Sequence, residues 1–490
     1  MTARCLPVAW LFLALAGCLS TPPPPACDQK CVAPQSCGGG SAPDSCGATY
    51  YVAPPPTGSD AASGQSPETP WATFAHALPR LTPGDALALL DGTYLEGLDI
   101  RISGEPGQPI AIRALNDGGA LIDGEVLRVP CKVTGADGAL VHDVVVEGLR
   151  CANGIQEVVW VNRAERVQLR RITAHDAGPS GNQTVFYFAR SANLLLEDLA
   201  AWGASIKVYE LYEGDTSVFR RCWGRWETSG TYYNTIVSLS GSSDNIVENC
   251  VVTSNPGNVY VTGFIIGGST PGERNQLLGN VALAGVAQGY GVSSDQANPT
   301  SNRLIDSVSI ENDVGLFQRS DSDLEVDRAT FVKTGDTMVQ LAPNGTPDDI
   351  EMNAVVRNSV LFSAPNGFNV STSPVIKSFI HHHNNVFGVA TPYTNTMADA
   401  TELAIDPGFD EATYGAGTYL LGSPVLAQAG ELGSRMGAQV IYGYAHGQPT
   451  EEPLWPWPME DRIQREAGTS VTWEAQGGLW RTLEGVYIDR

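Results

Sequence analysis

Lysine is scarce in this 490-residue chain, which has only Lys30, Lys132, Lys207, Lys333 and Lys377. Lysine and arginine together number 29 against 53 aspartate and glutamate residues, so the formal net charge is −24. Proteins that bind nucleic acid need a basic field. The composition therefore argues against a nucleic-acid partner, and any other anionic partner must find a local basic patch.

Long apolar runs are also lacking, apart from residues 6–16 near the start. That run follows Arg4 and is too short to span a bilayer as a mature helix, so it predicts a cleaved export signal over residues 1–17. The sequence Leu15-Ala16-Gly17-Cys18 resembles the bacterial lipobox. The resemblance implies a lipid on Cys18 and, with Leu19 next, the outer membrane or cell surface; an ordinary secretory peptide is the alternative.

Residues 18–48 form a linker rich in Cys, Pro and Gly, with no periodic apolar pattern. In an oxidising compartment its cysteines are expected to form disulfides, with zinc binding as the alternative. They are Cys27, Cys31, Cys37 and Cys46. Cys131 and Cys151, which lie 20 residues apart, form a further candidate disulfide.

Helical periodicity is confined to one short segment. Trp71, Phe74 and Leu78 fall on one helical face, with Thr69 as the expected N-cap and Pro70 in the first turn. A strand is expected on either side of it, over residues 50–52 and 86–90. Strand and turn patterns continue from there, which indicates an all-β protein.

An internal repeat follows, in which one short pattern of apolar and polar residues recurs with a mean period of about 26 residues. The copies are Val146-Glu147-Gly148-Leu149, Leu169-Arg170-Arg171-Ile172, Leu196-Glu197-Asp198-Leu199, Phe219-Arg220-Arg221-Cys222, Val247-Glu248-Asn249-Cys250, Leu277-Leu278-Gly279-Asn280, Leu304-Ile305-Asp306-Ser307, Glu325-Val326-Asp327-Arg328, Val356-Arg357-Asn358-Ser359 and His382-His383-Asn384-Asn385.

This period, without helices between the strands, predicts a β-solenoid in which each copy is one coil. Equivalent positions then stack, so Cys222 and Cys250 become neighbours, as a thiol pair or a disulfide. The open ends of such a rod need covers. We expect the helix near Trp71 to cover one end and the tryptophan-rich tail, residues 438–490, to cover the other, with the β-helix domain over residues 49–437.

The chain resembles the right-handed parallel β-helix proteins of the pectate-lyase-like superfamily. The motifs that carry the resemblance are Tyr50-Tyr51-Val52-Ala53-Pro54, Gly58-Ser59-Asp60, Pro70-Trp71-Ala72-Thr73, Pro83-Gly84-Asp85, Asp91-Gly92-Thr93-Tyr94, Asp406-Pro407-Gly408-Phe409 and Leu421-Gly422-Ser423-Pro424. The resemblance implies a right-handed parallel β-helix that binds polysaccharide along one sheet. The same scaffold hosts lyases, hydrolases, epimerases and non-catalytic surface proteins.

Polyuronate lyases of the superfamily neutralise a substrate carboxylate with calcium or arginine, while a lysine or arginine removes the adjacent proton. Nine residues between 163 and 225 are basic, which marks this region as the expected polyanion site. Four of them alternate with acidic residues at one repeat position, a pattern that also predicts a structural charge ladder: Arg170, Arg171, Arg220 and Arg221. Lys207, Arg190 and Arg225 remain as candidate catalytic residues.

The role of Lys207 depends on which way its strand faces. If Ile206 and Val208 point inward, Lys207 and Tyr209 share the outer face; otherwise Tyr209 and Leu211 are core residues. Aromatic side chains that are candidates for stacking on sugar rings are Tyr187, Tyr209, Trp226, Tyr232 and Tyr233.

An acidic run between Ser320 and Asp327 is a candidate calcium site, with a solvated acidic face as the alternative. Its ligands would be Asp321, Asp323 and Glu325.

These observations predict a lipid-anchored, monomeric protein that engages acidic polysaccharide, with polysaccharide lyase by β-elimination as the leading activity. A non-catalytic glycan-binding or structural surface protein and a uronate epimerase are the alternatives.

Overall fold

The structure is a computed structural model, and the residues that it describes all belong to one compact unit, Ser45–Arg490. Within them, no helix has the length and hydropathy needed to cross a membrane. The predicted signal, Cys18 and the four linker cysteines lie outside the described residues. The described ranges are 47–178, 183–227, 234–254, 261–268, 272–283, 285–294, 298–319, 322–343, 351–409, 422–454 and 457–467.

The fold is a parallel β-solenoid, as predicted, whose coils each contribute strands to three stacks, here called sheets A, B and C. Sheet A comprises Thr49–Val52, Ala86–Leu89, Ile110–Ala114, Val141–Glu147, Ala164–Arg170, Leu195–Glu197, Val218–Arg220, Ile246–Glu248, Gln276–Leu278, Asn298–Ile305, Ser322–Asp327, Met352–Arg357 and Ile376–His382. Sheet B comprises Gly92–Tyr94, Ala120–Asp123, Arg150–Ala152, Thr173–His175, Ala200–Trp202, Trp223–Trp226, Val251–Ser254, Val281–Ala282, Val308–Ile310 and Thr330–Val332.

Sheet C completes each coil with Leu98–Ile100, Cys131–Thr134, Val159–Asn162, Thr184–Ala189, Lys207–Tyr212, Asn234–Ser240, Val261–Gly268, Gln288–Ser294, Val314–Gln318 and Thr337–Leu341. Two long strands, Val360–Val370 and Asn385–Thr394, extend both sheets B and C. The remaining elements are the hairpin Tyr442–Ala445 with Gln448–Pro453, the α-helices Phe74–Ala77 and Glu460–Glu466, and the 3₁₀-helices Leu78–Arg80, Leu426–Gln428 and Glu431–Gly433.

The register of sheet A confirms the repeat over most of its length. Val146, Leu169, Leu196 and the equivalent residues up to Leu304 stand opposite one another in successive coils. Two copies are displaced by one residue. The copy at Glu325 starts one residue too early, because Val326 pairs with Leu304, and the copy at His382 starts one residue too late, because His381 pairs with Val356. Both errors lie beside irregular registers of the same strands.

Polar side chains also stack inside the rod at the turns. Between sheets C and A, Asn275 accepts a hydrogen bond from the Asn245 backbone at 3.1 Å, and Asn302 accepts one from the Asn275 backbone at 3.0 Å. Between sheets A and B, the Cys222 backbone donates to Cys250 Sγ at 3.3 Å. Cys222 and Cys250 are therefore neighbours, as predicted, in the form of two buried free thiols.

The predicted charge ladder is present on sheet A. Arg170, Glu197, Arg220 and Glu248 stand opposite one another in successive coils. Glu197 pairs with Arg170 at 2.9 Å and with Arg220 at 3.1 Å, and Arg220 pairs with Glu248 at 2.6 Å. These arginines therefore hold adjacent coils together.

At the N-terminal end, Trp71, Phe74 and Leu78 are buried in the core. The helix starts later than predicted, because Thr73 rather than Thr69 caps it, accepting from the His76 backbone at 3.1 Å.

The C-terminal segment, residues 436–454 and 457–467, lies along the flank of the rod, so the prediction that it covers the end is wrong for its described part. Its apolar residues, among them Trp457 and Ile463, pack on outward-facing residues of sheet B such as Trp202 and Trp223. Arg462 anchors it to the early coils through Asp117 and the Arg171 carbonyl, at 2.8 and 2.7 Å.

Candidate functional site

A groove of about 290 Å³ lies on the outer face of sheet C, and we call it the sheet C groove. It crosses five successive strands, from Lys207–Tyr212 to Val314–Gln318. With parallel strands about 4.8 Å apart, it extends roughly 19 Å along the rod. Its lining residues are Lys207, Thr235, Ser238, Ser240, Thr262, Ile265, Gly267, Gln288, Gly291, Val292, Ser293, Phe317 and Arg319.

Lys207 faces the groove, although neither predicted alternation of its strand holds. Val208 and Tyr209 are both fully buried in the core, so two consecutive residues point inward. Lys207 and Glu210, on either side of them, therefore share the outer face, where Lys207 Nζ forms an ion pair with Glu210 Oε1. Glu210 is 2% exposed, and its Oε2 has no hydrogen-bond partner among the described residues.

Two further ionisable groups lie beside this ion pair. Tyr187 stands opposite Glu210 in the preceding coil. Burial, followed by the charge of Glu210, raises the pKa of Tyr187 to about 12. Burial, again with a contribution from Glu210, also raises the pKa of Glu157. This end of the groove thus presents a phenol that stays protonated at neutral pH beside the Lys207–Glu210 ion pair.

The other two candidate catalytic residues do not join Lys207. Arg190 pairs with Glu213 at 3.0 Å and lies over the ring of Tyr212, and it does not line the groove. Arg225 is on sheet B beneath the C-terminal segment, paired with Glu227. Burial lowers the pKa of Arg225 to about 10. The structure therefore brings only Lys207, of these three, to the groove.

The basic enrichment that pointed to this region has a structural cause. Each of the nine basic residues between 163 and 225 forms an ion pair with an aspartate or glutamate. The density of basic residues is therefore no evidence by itself for a polyanion site, because most of this charge is neutralised within the protein, and the site stays a prediction.

Two of the predicted sugar-stacking residues are core residues. Tyr209 is fully buried and donates from its hydroxyl to the Trp223 carbonyl at 2.8 Å. Trp226 is 1% exposed and donates from its indole to the Ser205 carbonyl at 3.0 Å. Both predictions are wrong for this reason, whereas Tyr187 is partly exposed on the outer face. Tyr232 and Tyr233 lie outside the described residues.

The acidic run does not fit calcium well in its described part. Both oxygens of Glu325 are engaged, by Arg303 at 2.8 Å and by Arg357 at 2.7 Å. Asp323 accepts from the Asn353 amide at 2.8 Å. The described residues contain no group of three or more His, Cys, Asp or Glu side chains suited to hold a metal ion. Asp321 lies outside the described residues, and we derive no step that involves calcium.

Sequence reasoning missed the far end of the groove. There, Arg319 lies over the ring of Phe317 at 5.0 Å from its centroid. Gly291 stands between Ile265 and Phe317 in the outer row. A Cβ at Gly291 would lie 3.2 Å from Thr262 Cγ2, so glycine keeps the floor of the groove open. Only the register between coils reveals this grouping, because the residues lie far apart in the sequence.

The predicted disulfide between Cys131 and Cys151 is present, with the two Cα atoms 6.5 Å apart. It links a strand of sheet B to a strand of sheet C in the coils that precede the groove.

Comparisons with known proteins identify similar folds and no family. No protein-family model matches the chain. The chain is 32% identical over 113 residues to the uncharacterized protein YwoF of Bacillus subtilis (strain 168), a match that covers 21% of this chain and 22% of that protein. The alignment thus spans about a fifth of the length of that relative.

Several solved structures are similar, and they include polysaccharide lyases. The pectate lyase Pel9A is 17% identical, with 83% of this chain and 96% of that chain covered and a TM-score of 0.40. A rhamnogalacturonan lyase is 16% identical, with 69% and 87% covered and a TM-score of 0.43. The PL6 family alginate lyase AlyGC is 12% identical, with 80% and 57% covered and a TM-score of 0.46. Similarity at this level transfers no activity and no residue role to this chain.

Proposed function

We propose that the chain binds an acidic polysaccharide in the sheet C groove. The observation that carries this proposal is the arrangement of the lining: Lys207 lies at one end, Arg319 at the other, and hydroxyl and amide side chains lie between them. Hydroxyl and amide groups suit the hydroxyls of a sugar, whereas the two basic side chains suit carboxylates. The length of the groove suits a polymer rather than a single sugar.

We propose β-elimination as the reaction at the Lys207 end. Lys207, as an amine, would take the proton next to a substrate carboxylate, and the glycosidic C–O bond would break as the double bond forms. The leaving oxygen would then take a proton, for which the protonated Tyr187 is a nearby donor. The partly exposed position of Lys207 in the groove and the position of Tyr187 opposite Glu210 in the preceding coil support these roles.

A non-catalytic binding function is the second candidate. Lys207 donates to Glu210 in this structure, and an amine that is to accept a proton needs this contact rearranged. A lysine that remains an ammonium would instead neutralise a carboxylate of the bound polymer. The pairing of Lys207 with Glu210 is the observation that supports this second candidate.

The test uses the purified protein with polygalacturonate, alginate and chondroitin sulfate, with and without calcium, and neutral dextran as the control polymer. We expect binding of at least one acidic polymer, weakened at least tenfold in both Lys207→Ala and Arg319→Ala. The matched control is Lys377→Ala, an exposed lysine on sheet A. Equal affinity of all variants, or equal binding of dextran, would overturn the proposal.

Activity is followed in the same samples. Ultraviolet absorbance from unsaturated chain ends that disappears in Lys207→Ala supports elimination, and absorbance that requires calcium would assign a role to that ion. Binding without turnover supports the second candidate. A change of uronate stereochemistry by NMR without shortening of the polymer would identify an epimerase.

Export and lipid attachment at Cys18 remain part of the proposal. The Cys131–Cys151 disulfide supports export, since disulfides are typical of oxidising compartments. We expect the protein made in a bacterial host to partition into detergent, and Cys18→Ser to remain in the aqueous phase. Identical partitioning of both proteins would exclude the anchor.

A further inference from the structure

The outer face of sheet C continues beyond the groove toward the N-terminal end of the rod. There, Trp160 stands opposite Tyr187 in adjacent coils, and Tyr187 stands opposite Glu210. Val159 and Val161, on either side of Trp160, are buried in the core, so the indole points outward. Trp160 and Tyr187 are both partly exposed. Two aromatic rings thus follow each other along the rod axis, next to the Lys207 end of the groove.

A polar side chain beside these rings lacks a partner. Asn162 lies two residues after Trp160, so alternation along the strand puts it on the same face, and it is 7% exposed. Its Oδ1 has no hydrogen-bond partner among the described residues, and neither has the indole Nε1 of Trp160. Leaving a buried polar group unpaired costs free energy, which a ligand that donates to Asn162 Oδ1 or accepts from Trp160 Nε1 would recover. A hydroxyl-rich ligand meets this need, while an apolar partner does not.

We propose that Trp160 and Tyr187 form a stacking platform for sugar rings, which extends the sheet C groove to a site of seven strands. This inference rests on the proposed function, because the platform adjoins the groove and binds the same polymer. Aromatic faces pack against the apolar faces of sugar rings, while nearby polar groups bind the hydroxyls. Seven strands at about 4.8 Å spacing make the site roughly 29 Å long. The polymer therefore runs along the rod axis, across the coils.

The platform predicts that affinity depends on ligand length. The probes are polygalacturonate, alginate and chondroitin sulfate, each as the polymer and as a trisaccharide. Loss of one stacking contact in Trp160→Ala should weaken polymer binding about tenfold. A trisaccharide fits within the groove, so its affinity should stay unchanged. Trp160→Phe and Tyr187→Phe keep an aromatic ring and should therefore retain most of the wild-type affinity for the polymer.

Tyr442→Ala is the matched control, since Tyr442 is 47% exposed in the C-terminal hairpin. Circular dichroism and urea unfolding of each variant show whether the fold is intact.

If wild-type protein and Trp160→Ala bind the polymers with equal affinity, the platform is overturned and the proposed function still stands. Equal weakening of polymer and trisaccharide would also overturn it, because the effect would then arise in the groove. Wild-type protein that binds none of the acidic polymers would overturn the proposed function and the platform with it.

Discussion

Replacement of Asn275 by alanine tests the polar ladder inside the rod. The Asn275 side chain is fully buried. Its Oδ1 accepts from Asn245 N and Nδ2, both at 3.1 Å, and its Nδ2 donates to the Ser242 carbonyl at 2.8 Å. Asn275→Ala removes these partners from two buried backbone groups, the Asn245 N–H and the Ser242 C=O. At 1–3 kcal/mol for each orphaned group, the free energy of unfolding should fall by about 2–6 kcal/mol.

The assay is urea unfolding followed by circular dichroism. The matched control is Asn116→Ala, because Asn116 is exposed and, among the described residues, its side-chain amide donates hydrogen bonds only to Asp91. We expect the control to change stability by less than about 0.5 kcal/mol. A loss below about 1 kcal/mol in Asn275→Ala would refute the reasoning, since it would mean that the ladder bonds contribute no more than ordinary surface contacts.

Three further predictions concern the rest of the rod. Burial alone would raise the pKa of Glu197, but Arg221, Arg170 and Arg220 outweigh it and hold the pKa below 4.5. The stabilisation by this carboxylate is therefore present above about pH 4.5 and lost as the pH falls through the folded pKa. Glu197→Gln should lower the free energy of unfolding by about 3 kcal/mol in urea at pH 7. The difference in free energy from wild type should shrink below pH 4, and a difference that stays constant with pH would contradict the ladder. Ile463→Ala should lower the free energy of unfolding by about 3 kcal/mol, with Leu432→Ala, at an exposed residue, as the control. Equal losses of stability in the two variants would show that the C-terminal segment does not pack on sheet B. Peptide mapping should find Cys222 and Cys250 labelled by a thiol reagent only after unfolding, and labelling of the folded protein would contradict their burial.

The solenoid could be predicted from the sequence because stacking is a direct consequence of the repeat. Positions such as Leu169 and Leu196 are apolar since each must pack on its equivalent in the next coil, and the register confirms them. Alternating charges at Arg170 and Glu197 indicated the ladder for the same reason. The predicted register failed only at Glu325 and His382, in strands that also carry an irregular pairing.

The site was harder to predict, because it depends on which way individual side chains face. Simple alternation required either that Tyr209 share the outer face with Lys207 or that Lys207 point away from the groove. Two consecutive inward residues instead allow Tyr209 to be buried while Lys207 is partly exposed on the outer face. The density of basic residues did not reveal which charges are neutralised by ion pairs. Arg319 and Trp160 drew no attention in the sequence, since they join the site only through the register of sheet C.

Hydrogen–deuterium exchange with and without saturating acidic polymer is the most direct test of where the ligand binds. The account predicts protection in sheet C from Val159–Asn162 to Val314–Gln318, strongest around Lys207–Tyr212, with sheet A unchanged. Protection confined to sheet A or to the C-terminal segment, or none at all while the polymer is bound, would contradict it.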